Sequence, residues 1–224
     1  SVYERKEKRE TSMKGYLFDL DGTLIQSMHV WEDAVIHLFD RLQLSMDINE
    51  ARDVFSAMKF SEVLESIIQR FHLNMDVKTL YDLVIHDVRE QYEHYIPAVE
   101  GAVDYVQRCR LAGKEMCVVT ANDTPLTKAV LRRLGMLDGM KFILSSEESG
   151  LTKRTPQMAL AAIDRLHLQP QECVMLEDSL YSMKSAKDAG CYVIAIASKT
   201  ALDYQEICAT ADEVHEDLST VRIL

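Results

Sequence analysis

Long apolar runs, clustered positive charge and paired cysteines are what this 224-residue chain lacks. No hydrophobic stretch approaches the roughly 20 residues that a membrane-spanning helix needs, so membrane insertion is not expected. With 25 Lys and Arg against 36 Asp and Glu, the net charge is −11 and the pI about 5.1. So acidic a chain suits neither nucleic acid nor an anionic membrane surface, both of which require clustered cations. An anionic substrate would have to be met by cations placed locally. The five cysteines (Cys109, Cys117, Cys173, Cys191, Cys208) include no C-x-x-C spacing. Cys117, Cys173 and Cys191 lie in or beside apolar runs and read as buried thiols. An odd cysteine count without a secretory signal points to a reducing, cytoplasmic compartment. The acceptor-like segment Asn122, Asp123, Thr124 is then a coincidence, and the seven histidines show no metal-ligand spacing.

What is present is ordinary for a globular protein: 47% hydrophobic and 27% charged residues. At this length one large domain, or a domain carrying a sizeable insertion, is expected. Residues 1–12 are polar, with a charged run from Glu4 to Glu10, and read as a solvated tail with Met13 a candidate start. Short apolar runs at Gly15–Leu20, Glu115–Thr120, Lys141–Leu144, Glu172–Glu177 and Tyr192–Ala197 alternate with amphipathic stretches, which predicts a parallel α/β sheet. A last strand over Asp212–His215 and a short helix after Glu216 complete the pattern. Gly113, Gly135 and Gly190 close helices, while Thr124–Pro125 and Thr155–Pro156 open them. Between Gln26 and Ala98 no strand is evident. Apolar residues recur there at helical spacing: Trp31, Val35, Leu38, Phe39 and Leu42; Val63, Leu64, Ile67, Ile68 and Phe71; Leu80, Leu83, Val84 and Val88. Residues 26–98 are therefore expected to form a helical insertion into a core of residues 13–25 and 99–224. Such helices could close over a crevice as a lid, or contribute stability alone.

The informative feature is where polar residues stand. Asp19 and Asp21 flank Leu20 directly after the first apolar run, at the strand end where open α/β sheets collect ligands. Two carboxylates two residues apart in an extended chain project the same way. Their repulsion is relieved by a shared proton or a hard cation such as Mg²⁺. Thr120, Ala121 and Asn122 end the second run with a hydroxyl followed by backbone amides near a helix start, a turn suited to an anionic oxygen. Lys153 lies in the loop after the third run, within reach of a phosphate. Glu177 and Asp178 end the fourth, with Ser179 as helix N-cap. Each feature alone has a plain alternative: a solvated turn, a helix cap, a surface lysine, a helix-dipole partner. Four in register at successive strand ends rarely arise by chance.

This order of Asp19–Thr23, Thr120, Lys153 and Glu177–Asp178 resembles the four motifs of the haloacid dehalogenase superfamily. From Lys153 to Gly190 the chain is similar to the branch containing phosphoglycolate phosphatase and beta-phosphoglucomutase, which carries a helical cap between its first two motifs. The resemblance implies a three-layer Rossmann-like core with an inserted α-helical cap, and a Mg²⁺-dependent phosphatase of a small phosphorylated metabolite. In those terms Asp19 is the nucleophile that forms an aspartyl-phosphate, and Asp21 the acid and then base. Asp19, the Asp21 carbonyl and Asp178 hold the metal, and Glu177 supports them. Thr120, Ala121, Asn122 and Lys153 bind the phosphoryl oxygens. The chain departs from the branch at Arg154 (commonly Pro), Ser182 (usually Gly) and Gln26 (often an acid), none of which removes a catalytic group. A phosphosugar mutase is a second reading, disfavoured by Thr23, where mutases resemble Val or Ile, and by Trp31, where they place a histidine. Dehalogenation is disfavoured by Asp21, and a non-catalytic binding or regulatory module on the same fold by the intact acids and lysine. A receiver-type signalling domain needs no insertion. Lys59, in a turn expected over Met58–Ser61, His29 and Trp31 are candidate substrate contacts. The oligomeric state is not readable from the residues.

Overall fold

The computed structural model describes residues 12–55, 58 and 60–224. Six parallel strands form one sheet: β1 (Gly15–Phe18), β2 (Glu115–Thr120), β3 (Met140–Ser145), β4 (Cys173–Glu177), β5 (Tyr192–Ile196) and β6 (Glu213–His215). They are ordered β3-β2-β1-β4-β5-β6. The order reverses at β1, which pairs with β2 on one side and β4 on the other, Phe18 lying opposite Val118 and Leu176. A crevice beyond the carboxyl ends of the strands is expected at such a reversal. The expected parallel α/β architecture is the observed one.

The chain divides into two compact units, one running to Gln26 and resuming at Pro97, the other Ser27–Ile96. The second unit is helical: α1 (Met28–Leu42), α2 (Ile48–Phe55), α3 (Phe60–Arg70) and α4 (Val77–His94). Its centre holds Leu38, Leu64, Ile67, Leu80, Val84, Val88 and Tyr92, all essentially inaccessible. The Trp31 indole packs on Phe60 at 4.7 Å and donates to the Tyr92 hydroxyl at 2.8 Å. Asp76 caps α4 by accepting from the Thr79 amide, as an N-cap aspartate does.

The helices of the larger unit are α5 (Ala102–Leu111), α6 (Thr124–Leu134), α7 (Ser146–Ser149), α8 (Gln157–Arg165), α9 (Leu180–Ala189) and α10 (Tyr204–Thr210), and all but α7 bury side chains. Alternation along β1 decides which residue meets which layer. Leu17 joins Cys117, Val119, Met158, Ile163, Met183 and Ile207 in one cluster. Tyr16 and Phe18 face the other way, against Tyr105 of α5. A strand buried on both sides reads as an unbroken apolar run, which is why Gly15–Phe18 carries no alternation.

Several boundaries move. The first strand stops at Phe18, not Leu20, because the Leu20 carbonyl accepts from the amides of Thr23, Leu24 and Ile25 and so closes a turn. The helix expected to open at Thr155–Pro156 begins at Gln157, with Pro156 in the cap position. Ser61 lies inside α3, not in a turn, and β6 begins at Glu213. No helix follows Glu216 among the described residues; Asp217 instead accepts from the Ser219 amide and hydroxyl and holds a turn. Cys109, Cys117, Cys173 and Cys191 are buried free thiols, and Cys208 is exposed. No helix among the described residues is long and apolar enough to cross a membrane. The expected tail over residues 1–12 lies, except for Ser12, outside the described residues.

Candidate active site

β1 delivers Asp19 to the sheet's centre. Its amide donates to the Leu176 carbonyl at 3.0 Å, which extends the β1–β4 pairing by one residue and brings it level with Glu177. The carboxylate is almost inaccessible, at 6% exposure, and both oxygens are engaged. Oδ1 accepts from Lys153 Nζ at 2.5 Å, and Oδ2 accepts from the Thr23 hydroxyl at 2.8 Å. The turn that follows is tight because Gly22 takes φ +84°, and a Cβ there would fall 2.1 Å from Asp178 Oδ2. A side chain at position 22 would thus both strain the backbone and displace that carboxylate. Asp21 is partly exposed and near enough that its charge bears on Asp19.

β4 delivers Glu177 and Asp178. Glu177 Oε1 accepts from the amides of Asp178 and Ser179; Oε2 accepts from Lys153 at 3.0 Å and from the Ser182 hydroxyl at 2.7 Å. A carboxylate has about four lone-pair sites, and here all four are in use. Glu177 is therefore a bracket that fixes Lys153 and the start of α9. Ser179 occupies the N-cap position of α9 without the expected side-chain cap, its hydroxyl turning to Asp178 Oδ1 at 3.3 Å.

Lys153, from the loop before α8, is 8% exposed and bridges Asp19 and Glu177. Burial alone would lower its pKa, but the two carboxylates outweigh that and hold the ammonium above its usual range. Burial, then the charge of Glu177, pushes Asp19 up to about 7 against the opposing pull of Lys153. Asp178 is raised too, by burial and by Asp19 and Glu177. Glu177 is lowered, because Lys153 and the Ser182 hydroxyl overcome its burial.

At the end of β2 the Thr120 hydroxyl, fully buried, accepts from the Asn122 amide at 3.0 Å. Asn122 Oδ1 accepts from the Asp123 amide, and the Asn122 carbonyl accepts from Ser145. Asp123 then caps α6 through Leu126. The loop is thus pre-formed, with the Asn122 amide turned onto Thr120 and Ala121 exposed. Of the remaining candidates, His29 is exposed on α1, Trp31 is engaged inside the helical unit, and Lys59 lies outside the described residues. Two hydroxyls that hold site carboxylates escape a reading by strand ends: Thr23 and Ser182. Thr23 belongs to the same acidic turn. Ser182 lies five residues past Glu177, where only the start of α9 brings it back.

Ligand oxygens of Asp19, Glu177 and Asp178 lie within 4.8 Å of one another. With Glu177 saturated, the raised Asp19 and Asp178 are the carboxylates left to bind a cation. Hard oxygen donors of this kind suit Mg²⁺. Mg²⁺ held by Asp19 and Asp178 would compete with protons on both raised groups, so a Mg²⁺-induced rise in melting temperature should be small at acid pH and grow as pH rises through the raised range, about 7 for Asp19. Thermal melts with and without Mg²⁺ across that range check this; a shift that does not vary with pH would count against the assigned ligands.

A family model described as haloacid dehalogenase-like hydrolase matches residues 13–190. Hexitol phosphatase A of Escherichia coli is 28% identical, over 82% of each chain. Validoxylamine A 7'-phosphate phosphatase of Streptomyces hygroscopicus is 24% identical over 92% of this chain and 94% of its own. Among solved structures, CbbY from Rhodobacter sphaeroides in complex with phosphate superposes with a TM-score of 0.78 at 21% identity, covering 93% of this chain and 96% of that one. This likeness is one of fold.

Proposed function

The chain belongs to the haloacid dehalogenase-like hydrolase family, and from that premise we propose that it is a phosphatase of small phosphorylated metabolites working through an aspartyl-phosphate. One observation carries the reading: a buried carboxylate at the sheet's reversal point, held by Lys153 on one oxygen and Thr23 on the other, with Asp178 beside it.

Asp19 attacks phosphorus, forming the Asp19–phosphorus bond as the ester oxygen leaves. Asp21, the more exposed acid, gives that oxygen its proton, then takes one from the water that attacks the acyl phosphate and frees Asp19. Lys153 and Thr23 hold the Asp19 carboxylate in one orientation, which removes the entropy of aligning it. The Lys153 ammonium, the Thr120 hydroxyl and the Ala121 and Asn122 amides stabilise the oxygens on which charge spreads. For that, a phosphoryl oxygen takes over the Asn122 amide from Thr120, and the hydroxyl turns to donate. A divalent cation held by Asp19, the Asp21 carbonyl and Asp178 would neutralise the clustered carboxylates and the transferring group. Glu177 keeps Lys153 in place and touches no substrate atom.

The test is a screen of phosphorylated metabolites, with and without Mg²⁺, that follows both inorganic phosphate and the organic product. Release of phosphate supports the hydrolase. An isomeric phosphosugar without phosphate would make the protein a mutase, and no turnover of any compound would make it a binding module.

A further inference from the structure

The charges at this strand end do not favour an anion. Asp19, Asp21, Glu177 and Asp178 bring four carboxylates together, and the single buried ammonium of Lys153 is shared between two of them. The molecule as a whole carries −11. The divalent cation of the phosphatase reading would add two positive charges to that of Lys153, three against four carboxylates, so a phosphate dianion would still gain from a further cation nearby.

Arg154 supplies one. It follows Lys153 in the loop before α8 and is exposed. Its guanidinium lies over the ring of Tyr181, 5.0 Å from the centroid, inside the range of about 6 Å in which a cation is attracted to an aromatic face. Tyr181 stands in the first turn of α9, three residues beyond Asp178. Its phenol is pushed up, first by burial and then by Glu177 and Asp19, while Lys153 and Arg154 pull it down. One ring thus lies within the fields of both the buried cluster and the exposed guanidinium. A planar guanidinium on an aromatic face is pre-oriented, so less freedom is lost when it meets an oxyanion.

We propose that Arg154, held over Tyr181, is the residue that draws the phosphoryl dianion of the substrate to the site, acting on binding and not on the chemical step. The proposal rests on the phosphatase reading and adds to it a residue outside the four motifs. The experiment compares the wild-type protein with Arg154→Gln, Arg154→Lys and Tyr181→Leu. It measures KM and kcat on p-nitrophenyl phosphate and the binding of inorganic phosphate by calorimetry, each at low and high salt. Arg154→Gln should raise KM and the phosphate dissociation constant about tenfold at low salt with kcat unchanged, as expected for an exposed steering charge. The difference should close at high salt, where exposed charges are screened. Arg154→Lys should recover most of the loss, and Tyr181→Leu should fall between, because the charge remains but its placement is lost. Unchanged phosphate binding in Arg154→Gln, or a loss confined to kcat or insensitive to salt, would overturn the proposal. Calorimetry reads Arg154 even if no compound is turned over, so failure of the phosphatase reading and failure of this one are told apart.

Discussion

Asp19→Asn should abolish turnover, lowering kcat by about four orders of magnitude or more, the scale seen when a nucleophile is removed from a covalent mechanism. The substitution is nearly isosteric and keeps an oxygen for Lys153, so the loss is chemical and not architectural. In the proposed mechanism a carboxylate oxygen attacks phosphorus, and the amide is too weak a nucleophile to take its place. Stability should change little in the metal-free protein. Asn loses a charge-assisted bond to Lys153, but it also removes a buried anion that Glu177 repels. Phosphate release from p-nitrophenyl phosphate, read beside a melting curve, checks both halves. A variant that retains wild-type activity refutes the nucleophile, and one that unfolds would show Asp19 to be structural.

Lys153→Met has the second large effect, and it acts on stability as well as rate. The ammonium is the cation that Asp19 and Glu177 share, both nearly inaccessible. Removing one partner of a buried ion pair leaves uncompensated charge and costs about 3–5 kcal/mol. Here two anions are left. The sign with pH follows from the shifts. In the wild-type protein Glu177 is lowered, so its contribution is present at neutral pH and lost as pH falls. Without Lys153, burial and mutual repulsion raise the carboxylates. Their native state is then favoured below the ordinary carboxylate range and penalised as pH rises through the raised values. The deficit should therefore be largest near pH 7.5 and shrink toward pH 4. Urea midpoints at the two pH values measure it; a pH-independent deficit, or one below about 1 kcal/mol at pH 7.5, would mean that the bridge is not what holds these groups. On the proposed role of Lys153 in stabilising the transferring charge, its loss should also lower kcat about 100- to 1,000-fold.

Much of the architecture was legible because it is written in local pattern. Gly15–Phe18 is an apolar run too short for a helix and bounded by turn residues. Gly135 and Gly190 take left-handed φ values at helix ends, as glycine after a helical stretch implies. Asp19, Thr120 and Glu177 are each the first polar residue after an apolar run, which marks them as strand-end groups. What escaped was interaction across elements. The position of Lys153 after the third run places it within reach of a phosphate, but its burial between Asp19 and Glu177 is not visible in the local pattern. In the sequence Ser182 stands out only as an unusual residue and Thr23 only as part of a pattern, though both hydroxyls hold site carboxylates. Boundaries moved where a carbonyl had a competing use, as at Leu20.

By itself the chain dictated which residues end strands and helices, because hydrophobic periodicity and turn chemistry act over a few neighbouring positions. Only the tertiary structure decided that Lys153 meets Asp19 across 134 residues, that Glu177 is saturated, and that Arg154 lies on Tyr181. Such contacts depend on strand order and on how α8 and α9 pack against the sheet, and the energies that choose among those arrangements are summed over the whole core.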